Sequence, residues 1–411
     1  MRRKIQNKKK TNIRKAEIEM TNFDYYAPTK VVFGKGTENQ VGELVKEQGC
    51  TKVLVHYGSG SVKKSGLLDR IYQSLEQAGI PFVSLGGVVP NPRLSLVYQG
   101  IELCKKEKVD FILAVGGGSV IDSGKAIGYG VANEGDVWDF YERKRVATGC
   151  LPIGVVLTIA AAGSEMSNSS VITNEDGWLK RGYGNDCCRA RFAVMDPEIT
   201  MTLPKYQTAS GCVDIMMHTM ERYFNQEQNL ELTDGFSEHL IRTVMENALI
   251  LMKEPDNYKA RAEVMWAGSL SHNGLTGCGT AGGDWASHQL EHELGGMFDV
   301  AHGAGLAAVW GSWARYVLEG NPGRFVQFAV RVMGQKKGAD DTETALRGIR
   351  AMEEFYHQVE MPTSLSELGI NPTEEQLRSL AEKCSHFGNR TIGCVKKLDQ
   401  EDMYRIYKMA M

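Results

Sequence analysis

One run constrains this chain more than any other: residues 111–128, FILAVGGGSVIDSGKAIG, carry an apolar strand pattern through three glycines straight into a helical pattern. The same order recurs upstream. KVVF at 30–33 reads as a short strand, and KVLVHY at 52–57 is a second that ends in Gly58-Ser59-Gly60-Ser61 before a helix near 65–78. Residues 81–85 and 94–107 repeat strand then helix, and a further strand lies near 151–158. Such alternation implies a parallel sheet with helices on both faces, which binds ligands at the carboxyl ends of its strands. The pattern then changes. Residues 170–194 look like a hairpin leading to Asp196-Pro197, and from Gln207 onward the period is helical, with helices near 231–253, 259–273, 324–333 and 342–358. An α/β half therefore precedes an all-helical half, with catalysis expected in the cleft between them.

At 411 residues and 42 % apolar content the chain can fill two cores, and no apolar run approaches the roughly 18 residues that span a bilayer. An apolar signal core is also missing from the N-terminus. Nine cysteines, an odd number without a CxxC, argue against a disulfide framework and for a reducing cytoplasm; the vicinal Cys187 and Cys188 read as ordinary thiols. Residues 1–20 hold eight Lys/Arg against two Glu, so this stretch is +6, and with −3 overall the remainder is −9. The body repeats no basic theme, so neither nucleic acid nor membrane is an expected partner. The tail reads as a disordered extension, with a domain start at TNFDYYAPTKVVFG. The expected division is 1–20 extension, 21–203 α/β domain and 204–411 helical domain.

The glycine loops suggest a phosphate cradle. After 111–115, the amides of Gly117, Gly118 and Ser119 and the dipole of the following helix can hold a pyrophosphate, although the run matches neither GxGxxG nor a P-loop. Ser119 and Asp122 also have the spacing of a capping pair. In the second loop, at Gly58, Gly60 and Ser61, the acid that NAD-selective folds place there is missing and Lys63 and Lys64 follow, which favours NADP(H) over NAD(H).

GDWASHQLEHELGGMFDVAHGAG, residues 283–305, holds three of the nine histidines. His288 and His292 stand at i and i+4 on one helical face; Gly295-Gly296 is expected to break that helix and let His302 return on a Gly-rich turn. Upstream, SGCVDIMMHTM sets Asp214 and His218 on one face by the same spacing. One carboxylate with imidazoles suits Fe(II) or Zn(II) and not calcium. Spacing alone does not choose three nitrogen ligands among His218, His288, His292 and His302. Trp285, Trp266, Met216, Met217 and Met220 surround these segments and are expected to fill core and make the pocket apolar.

From about Phe23 to the C-terminus, YGSGSVKKSGLLD, GGGSVIDSGKAI, GSEMSNSSVIT, VDIMMH, DWASHQLEHELGG and DVAHGAGLA, in this order, resemble the iron-containing (group III) alcohol dehydrogenases, in the butanol dehydrogenase or NADPH-dependent aldehyde reductase branch. The resemblance implies a Rossmann-like nucleotide-binding domain followed by an all-α metal-binding domain, the two-domain architecture shared with dehydroquinate synthase. It implies metal ligands Asp214, His218, His288 and His302, with His292 on the substrate and nicotinamide side and not binding metal. An imidazole near its unperturbed pKa is a capable proton shuttle, so His292 is expected to serve as one. It further implies pyrophosphate on Gly117–Ser119, with Asp122, Thr158 and Lys180 as cofactor neighbours, and a homodimer, for which the edge strand at 30–33 offers a contact. Three positions depart from the pattern: Ala162 for a usual Thr, Ser169 for a frequent Asn, and Ala190 for a usual Pro. The implied reaction is hydride transfer between NAD(P)H and a small or medium-chain aldehyde or primary alcohol. The competing readings are a dehydroquinate synthase-like lyase, a metal-dependent hydrolase and a non-catalytic nucleotide sensor. The lyase needs basic groups around its substrate, which the ligand segments do not visibly offer.

Overall fold

The computed structural model of the chain describes residues 20–227 and 230–411. The expectation for the basic tail thus falls, apart from Met20, outside the described residues. The first half comprises β1 (Lys30–Phe33), α1 (Val41–Lys46), β2 (Val53–Gly58), α2 (Ser61–Lys64), α3 (Leu67–Gln77), β3 (Phe82–Val88), α4 (Leu94–Glu107), β4 (Phe111–Gly116), α5 (Gly118–Ala132), α6 (Trp138–Tyr141), β5 (Ile153–Leu157), β6 (Ser169–Asn174), β7 (Leu179–Gly184) and β8 (Phe192–Met195). The second half is helical: α7 (Lys205–Tyr223), α8 (Glu231–Lys253), α9 (Tyr258–His272), α10 (Ala286–Phe298), α11 (His302–Val317), α12 (Pro322–Arg331), α13 (Asp341–Gln358), α14 (Glu374–Cys384) and α15 (Gln400–Met409).

The main sheet has the order β1-β8-β5-β4-β2-β3, and every pairing in it is parallel. Alternation along the central strands sorts two cores. Val53, Val55, Tyr57, Phe111, Leu113 and Val115 pack with Val41, Leu68 and Ile71 of α1 and α3. Leu54, Ile112 and Ala114 face the other way, onto Val97 and Ile101 of α4 and Ile121 and Ile127 of α5. Both faces are covered, so the strands read as unbroken apolar runs. From β2 the chain steps outward to β3, and from β4 it steps the opposite way to β5, so the strand order reverses between β2 and β4. Ligands settle at such a reversal, and both glycine loops leave the sheet there.

Three expectations change. Residues 192–195 do not belong to the hairpin. All four are buried, and the strand they form lies inside the sheet between β1 and β5, whereas the hairpin is β6 with β7 alone. A short apolar run buried on both faces is what an interior parallel strand requires. Nor do Gly295 and Gly296 break a helix, since α10 runs through both and turns only at Asp299, φ 53°. They serve close approach: a Cβ on Gly295 would lie 2.8 Å from Lys180 Nζ, and one on Gly296 2.8 Å from the Trp178 carbonyl, so the hairpin could not lie against α10. Finally, His302 opens α11 rather than lying in a turn.

The third core fills the helical half around Trp310, Trp313 and Phe224. Met216, Met217 and Met220 are buried in it, and Trp266 packs on Phe33 at the sheet edge with ring centroids 6.5 Å apart. Of the five side chains expected near the pocket, only Trp285 lies among the histidines.

Candidate metal centre and cofactor cleft

Helix α7 carries Asp214 and His218 on one face, α10 supplies His288 and His292, and His302 begins α11. The helices meet closely because Gly303 faces the Ser210 backbone, with no room for a Cβ between them. From Asp214 Oδ1 it is 3.2 Å to His218 Nδ1, 3.7 Å to His302 Nε2 and 3.9 Å to His288 Nε2. Asp214 Oδ1, His218 Nδ1 and His288 Nε2 are buried without a hydrogen-bond partner. Stranding three such atoms at one point costs roughly 1–3 kcal/mol each unless something else satisfies them. Their chemistry, a carboxylate oxygen and imidazole nitrogens, fits a divalent ion of the Fe(II) or Zn(II) type. His302, with a quarter of its side chain exposed (26 %), marks the open side of the cluster.

The far nitrogens of two rings are anchored. His288 Nδ1 donates to Glu221 Oε1 at 2.8 Å, and the His288 amide donates to the same oxygen at 2.9 Å. His302 Nδ1 donates to Glu291 Oε2, which also accepts from Lys180 Nζ at 3.1 Å. Each bond leaves the other ring nitrogen, Nε2, facing Asp214 with its lone pair free. Burial raises the Asp214 carboxyl, against the pull of His302 and His288. Burial works the same way on Glu291, but His302 and Lys180 overcome it and hold that carboxyl down to about 2.

His292 is buried, its ring centroid 5.8 Å from that of His302, and burial followed by the Lys180 charge holds its pKa well below the ordinary value. The premise of an imidazole titrating near its unperturbed pKa is therefore not met; the ring is neutral. A fifth histidine was not singled out from the sequence. His272, at the end of α9, packs edge-on against His218 with centroids 4.0 Å apart, and its Nδ1 has no partner. Its only sequence signal was an SHNG helix end. Trp285 sits in the left-handed region at φ 62°, just before α10. Asp284 supports that turn by accepting from the amides of Ala286, Cys394 and Val395 at 3.1, 2.7 and 2.8 Å. Basic groups do lie here, contrary to expectation. The Arg222 guanidinium covers the Trp285 ring at 4.6 Å and donates to the His218 and Ser271 carbonyls, while Lys180 is paired with Glu291. Both are engaged.

The cofactor residues divide. Helix α5 begins at Gly118 with Gly117 as its N-cap and no side-chain cap, so the Ser119–Asp122 capping pair is not formed; the Val120 and Ile121 amides bond the Gly117 carbonyl at 3.0 and 3.1 Å, and those of Gly118 and Ser119 precede the first bond of the helix. A Cβ on Gly118 would stand 2.8 Å from Ala162, and one on Gly117 would overlap Ile159. The loop after β5 thus lies directly on the glycines, starting at Thr158, whose amide bonds the Gly116 carbonyl at 3.1 Å. The same loop reaches the helical half: a Cβ on Gly163 would meet the Gly268 carbonyl at 2.6 Å and His272 at 2.7 Å. Gly118 lies against Ala162, Gly163 against His272 and His272 against His218, a wall of successive contacts from the start of α5 to the ligand cluster. Around Gly60 there is open space, and Lys63 lies over the Tyr57 ring at 5.1 Å. Asp122 turns inward. Its oxygens accept from Ser164 Oγ at 2.5 Å and the Val171 amide at 2.9 Å. Beneath it, Lys125 donates to the Ser164, Ser167 and Ser169 carbonyls at 2.7, 3.0 and 2.8 Å and fixes that turn. Lys180 faces Glu291 and His302 on the metal-ligand side of the cleft.

The family described as iron-containing alcohol dehydrogenase matches residues 28–197, and the C-terminal part of the Fe-containing alcohol dehydrogenase family matches residues 208–411. A probable NADH-dependent butanol dehydrogenase of Bacillus subtilis is 42 % identical over 95 % of this chain and 100 % of its own length. An NADPH-dependent aldehyde reductase of Escherichia coli is 35 % identical over 95 % of this chain and 100 % of its own. The crystal structure of an NADH-dependent butanol dehydrogenase A from Thermotoga maritima superposes with a TM-score of 0.92 at 40 % identity, covering 96 % of this chain and 100 % of that one. With the parallel sheet, the helical half and the resemblance read from the motifs all in agreement, the chain belongs to the iron-containing alcohol dehydrogenase family and is an enzyme of the alcohol dehydrogenase and aldehyde reductase class.

Proposed function

We propose that this enzyme transfers hydride between NAD(P)H and a small or medium-chain aldehyde or primary alcohol, with Asp214, His218, His288 and His302 holding a divalent metal, Fe(II) or Zn(II). The observation that carries this reading is the set of three buried, unpartnered ligand atoms, one carboxylate oxygen and two imidazole nitrogens, on the wall that continues to the α5 N-terminus. When bound, the metal supplies a Lewis acid for the carbonyl oxygen and the nicotinamide supplies the hydride. The chain's own residues do the rest. Gly117, Gly118 and Ser119 offer backbone amides to a diphosphate, and Gly58, Gly60 and Ser61 line the neighbouring strand end. Thr158 stands at the start of the loop that closes on them. Asp122, turned away from the cleft, acts through the turn it holds with Ser164. Glu221 and Glu291 orient two ligand rings. In the reductive direction the product oxygen needs one proton, and His292, neutral and next to His302, would relay it by giving the proton on one imidazole nitrogen while the other nitrogen accepts one from solvent; an unchanged pH–rate profile in His292→Ala refutes that role.

No acidic side chain occurs from Gly58 to Lys64 to repel a ribose 2′-phosphate, so the reading keeps NADPH as the preferred donor. The named relatives divide between NADH and NADPH, and the ratio of kcat/KM for the two decides. The free edge of β1 is proposed as the pairing surface of a homodimer, and the nine free thiols suit a reducing compartment. Among the described residues no helix is long and apolar enough to cross a membrane.

The test follows oxidation of NADPH and NADH with butanal by protein stripped of metal and reloaded anaerobically with Fe(II) or Zn(II), alongside Asp214→Ala. Turnover that returns with metal and vanishes in the variant supports the reading. Tight nucleotide binding without turnover under either metal overturns it.

A further inference from the structure

The Lys180–Glu291–His302 contact poses a problem that the ligand set alone does not solve. His302 Nδ1 has two neighbours, the Glu291 carboxylate, which can only accept, and the Lys180 ammonium at 3.4 Å, which can only donate. A neutral imidazole carries one proton. If Nδ1 holds it, the ring donates to Glu291 and Nε2 presents a lone pair toward Asp214. If Nδ1 instead accepts from Lys180, the proton must sit on Nε2, and the ring cannot ligate through that atom. Both neighbours are buried, Glu291 fully and Lys180 nearly so, which keeps water from substituting for either. Glu291 also accepts from Lys180 at 3.1 Å and so draws the ammonium toward itself and away from the ring.

We propose that Glu291 is a positioning residue that selects the metal-competent tautomer of His302 by outcompeting Lys180 for Nδ1. The inference rests on His302 as a ligand, and it distinguishes Glu291 from an ordinary hydrogen-bonded support. Removing a plain support weakens binding whatever else is nearby. Here the loss comes largely from Lys180, so removing Lys180 as well restores affinity.

The test is a two-residue cycle read by Zn(II) affinity, measured by competition with a chromophoric chelator, with the Co(II) visible spectrum as a report on the donor set. Glu291→Ala is expected to weaken Zn(II) binding by about 10- to 100-fold. Lys180→Met alone stays within about 3-fold of the parent, because the His302–Glu291 bond survives it. The double variant recovers at least about 5-fold over Glu291→Ala. Where Glu291→Ala does not fold by circular dichroism, Glu291→Gln replaces it in the same cycle. Gln keeps volume and an acceptor but loses the charge that restrains Lys180, and it is expected to lose about 3- to 10-fold, again recovered by Lys180→Met. Parent-like affinity in the Glu291 variants overturns the proposal, as does a double variant no better than the single one. A parent protein that binds neither Zn(II) nor Co(II) instead sinks the ligand set, and this inference with it.

Discussion

Gly303 is where a single methyl group separates folding from function. A Cβ there would stand 1.9 Å from the Ser210 carbonyl oxygen and 2.7 Å from its carbon, against an ordinary contact of 3.4 Å, so the backbones of α7 and α11 must part by about 1.5 Å. Neither side can yield by rotating a side chain, because the obstacle is main chain. Overpacking of this kind costs about 1–3 kcal/mol, which a protein of this size survives. The metal centre does not. His302 is the residue before Gly303 and Asp214 is one helical turn beyond Ser210, so the shift falls on ligands whose bond lengths tolerate only about 0.2 Å. Gly303→Ala is expected to keep its far-ultraviolet circular dichroism, unfold a few degrees earlier, and lose at least about 10-fold in Zn(II) affinity and about 100-fold in turnover. Gly235→Ala is the control: nothing lies within 4 Å of its Cβ, and the helix should gain about 0.5–1 kcal/mol. Parent-like Zn(II) affinity in Gly303→Ala refutes the argument that this contact sets the ligand spacing.

Three further outcomes are expected. Gly117→Ala drives a methyl into Ile159 under the cofactor loop; the KM for the nicotinamide nucleotide should rise about 10-fold while bound Zn(II) per chain stays at the parent value, and a loss of metal would contradict the separation of the two sites. Glu221→Gln keeps an acceptor for His288 but removes its charge, so chelator competition should register about a 10-fold loss of Zn(II) affinity. His56 is buried, donates from Nδ1 to the Leu85 carbonyl and accepts at Nε2 from Ser123, and burial lowers its pKa from 6.5 to about 4. Its folded pKa lies below the unfolded one, so its stabilisation is complete above pH 6.5 and is lost as pH falls from there to about 4, a change of about 3 kcal/mol. Urea unfolding of His56→Gln and the parent should converge by that amount between pH 7 and pH 4, and parallel curves would refute it.

The elements of the first half were legible because each is local: a β-branched run, a glycine turn and a periodic helix reveal themselves within a dozen residues. Helix α4 at 94–107 and α8 at 231–253 lie where periodicity places them. Pairs at i and i+4 were equally plain, since a helix face follows from spacing alone, and Asp214 with His218 and His288 with His292 needed nothing more. Where the residues could not choose, family resemblance carried the reading, as with His302 over His292.

What the chain could not disclose locally were the decisions made by distant partners. Residues 192–195 find their place between β1 and β5 through hydrogen bonds to strands formed about 160 and 40 residues earlier. Gly295 and Gly296 look like helix breakers until the hairpin, more than 100 residues upstream, is seen to need the space where their Cβ atoms would be. Glu221, Arg222 and His272 lie outside the motifs that mark the family, and Glu291 lies inside DWASHQLEHELGG with nothing local to set it apart from Glu293. They matter because folding sets each against one ligand or its support, and a buried polar group must be answered by whatever the fold brings to it. Sequence determined which residues have the chemistry to bind a metal and a diphosphate. Tertiary packing decided which nitrogen of each ring faces Asp214, because that depends on the group behind the ring, and only the folded chain puts it there.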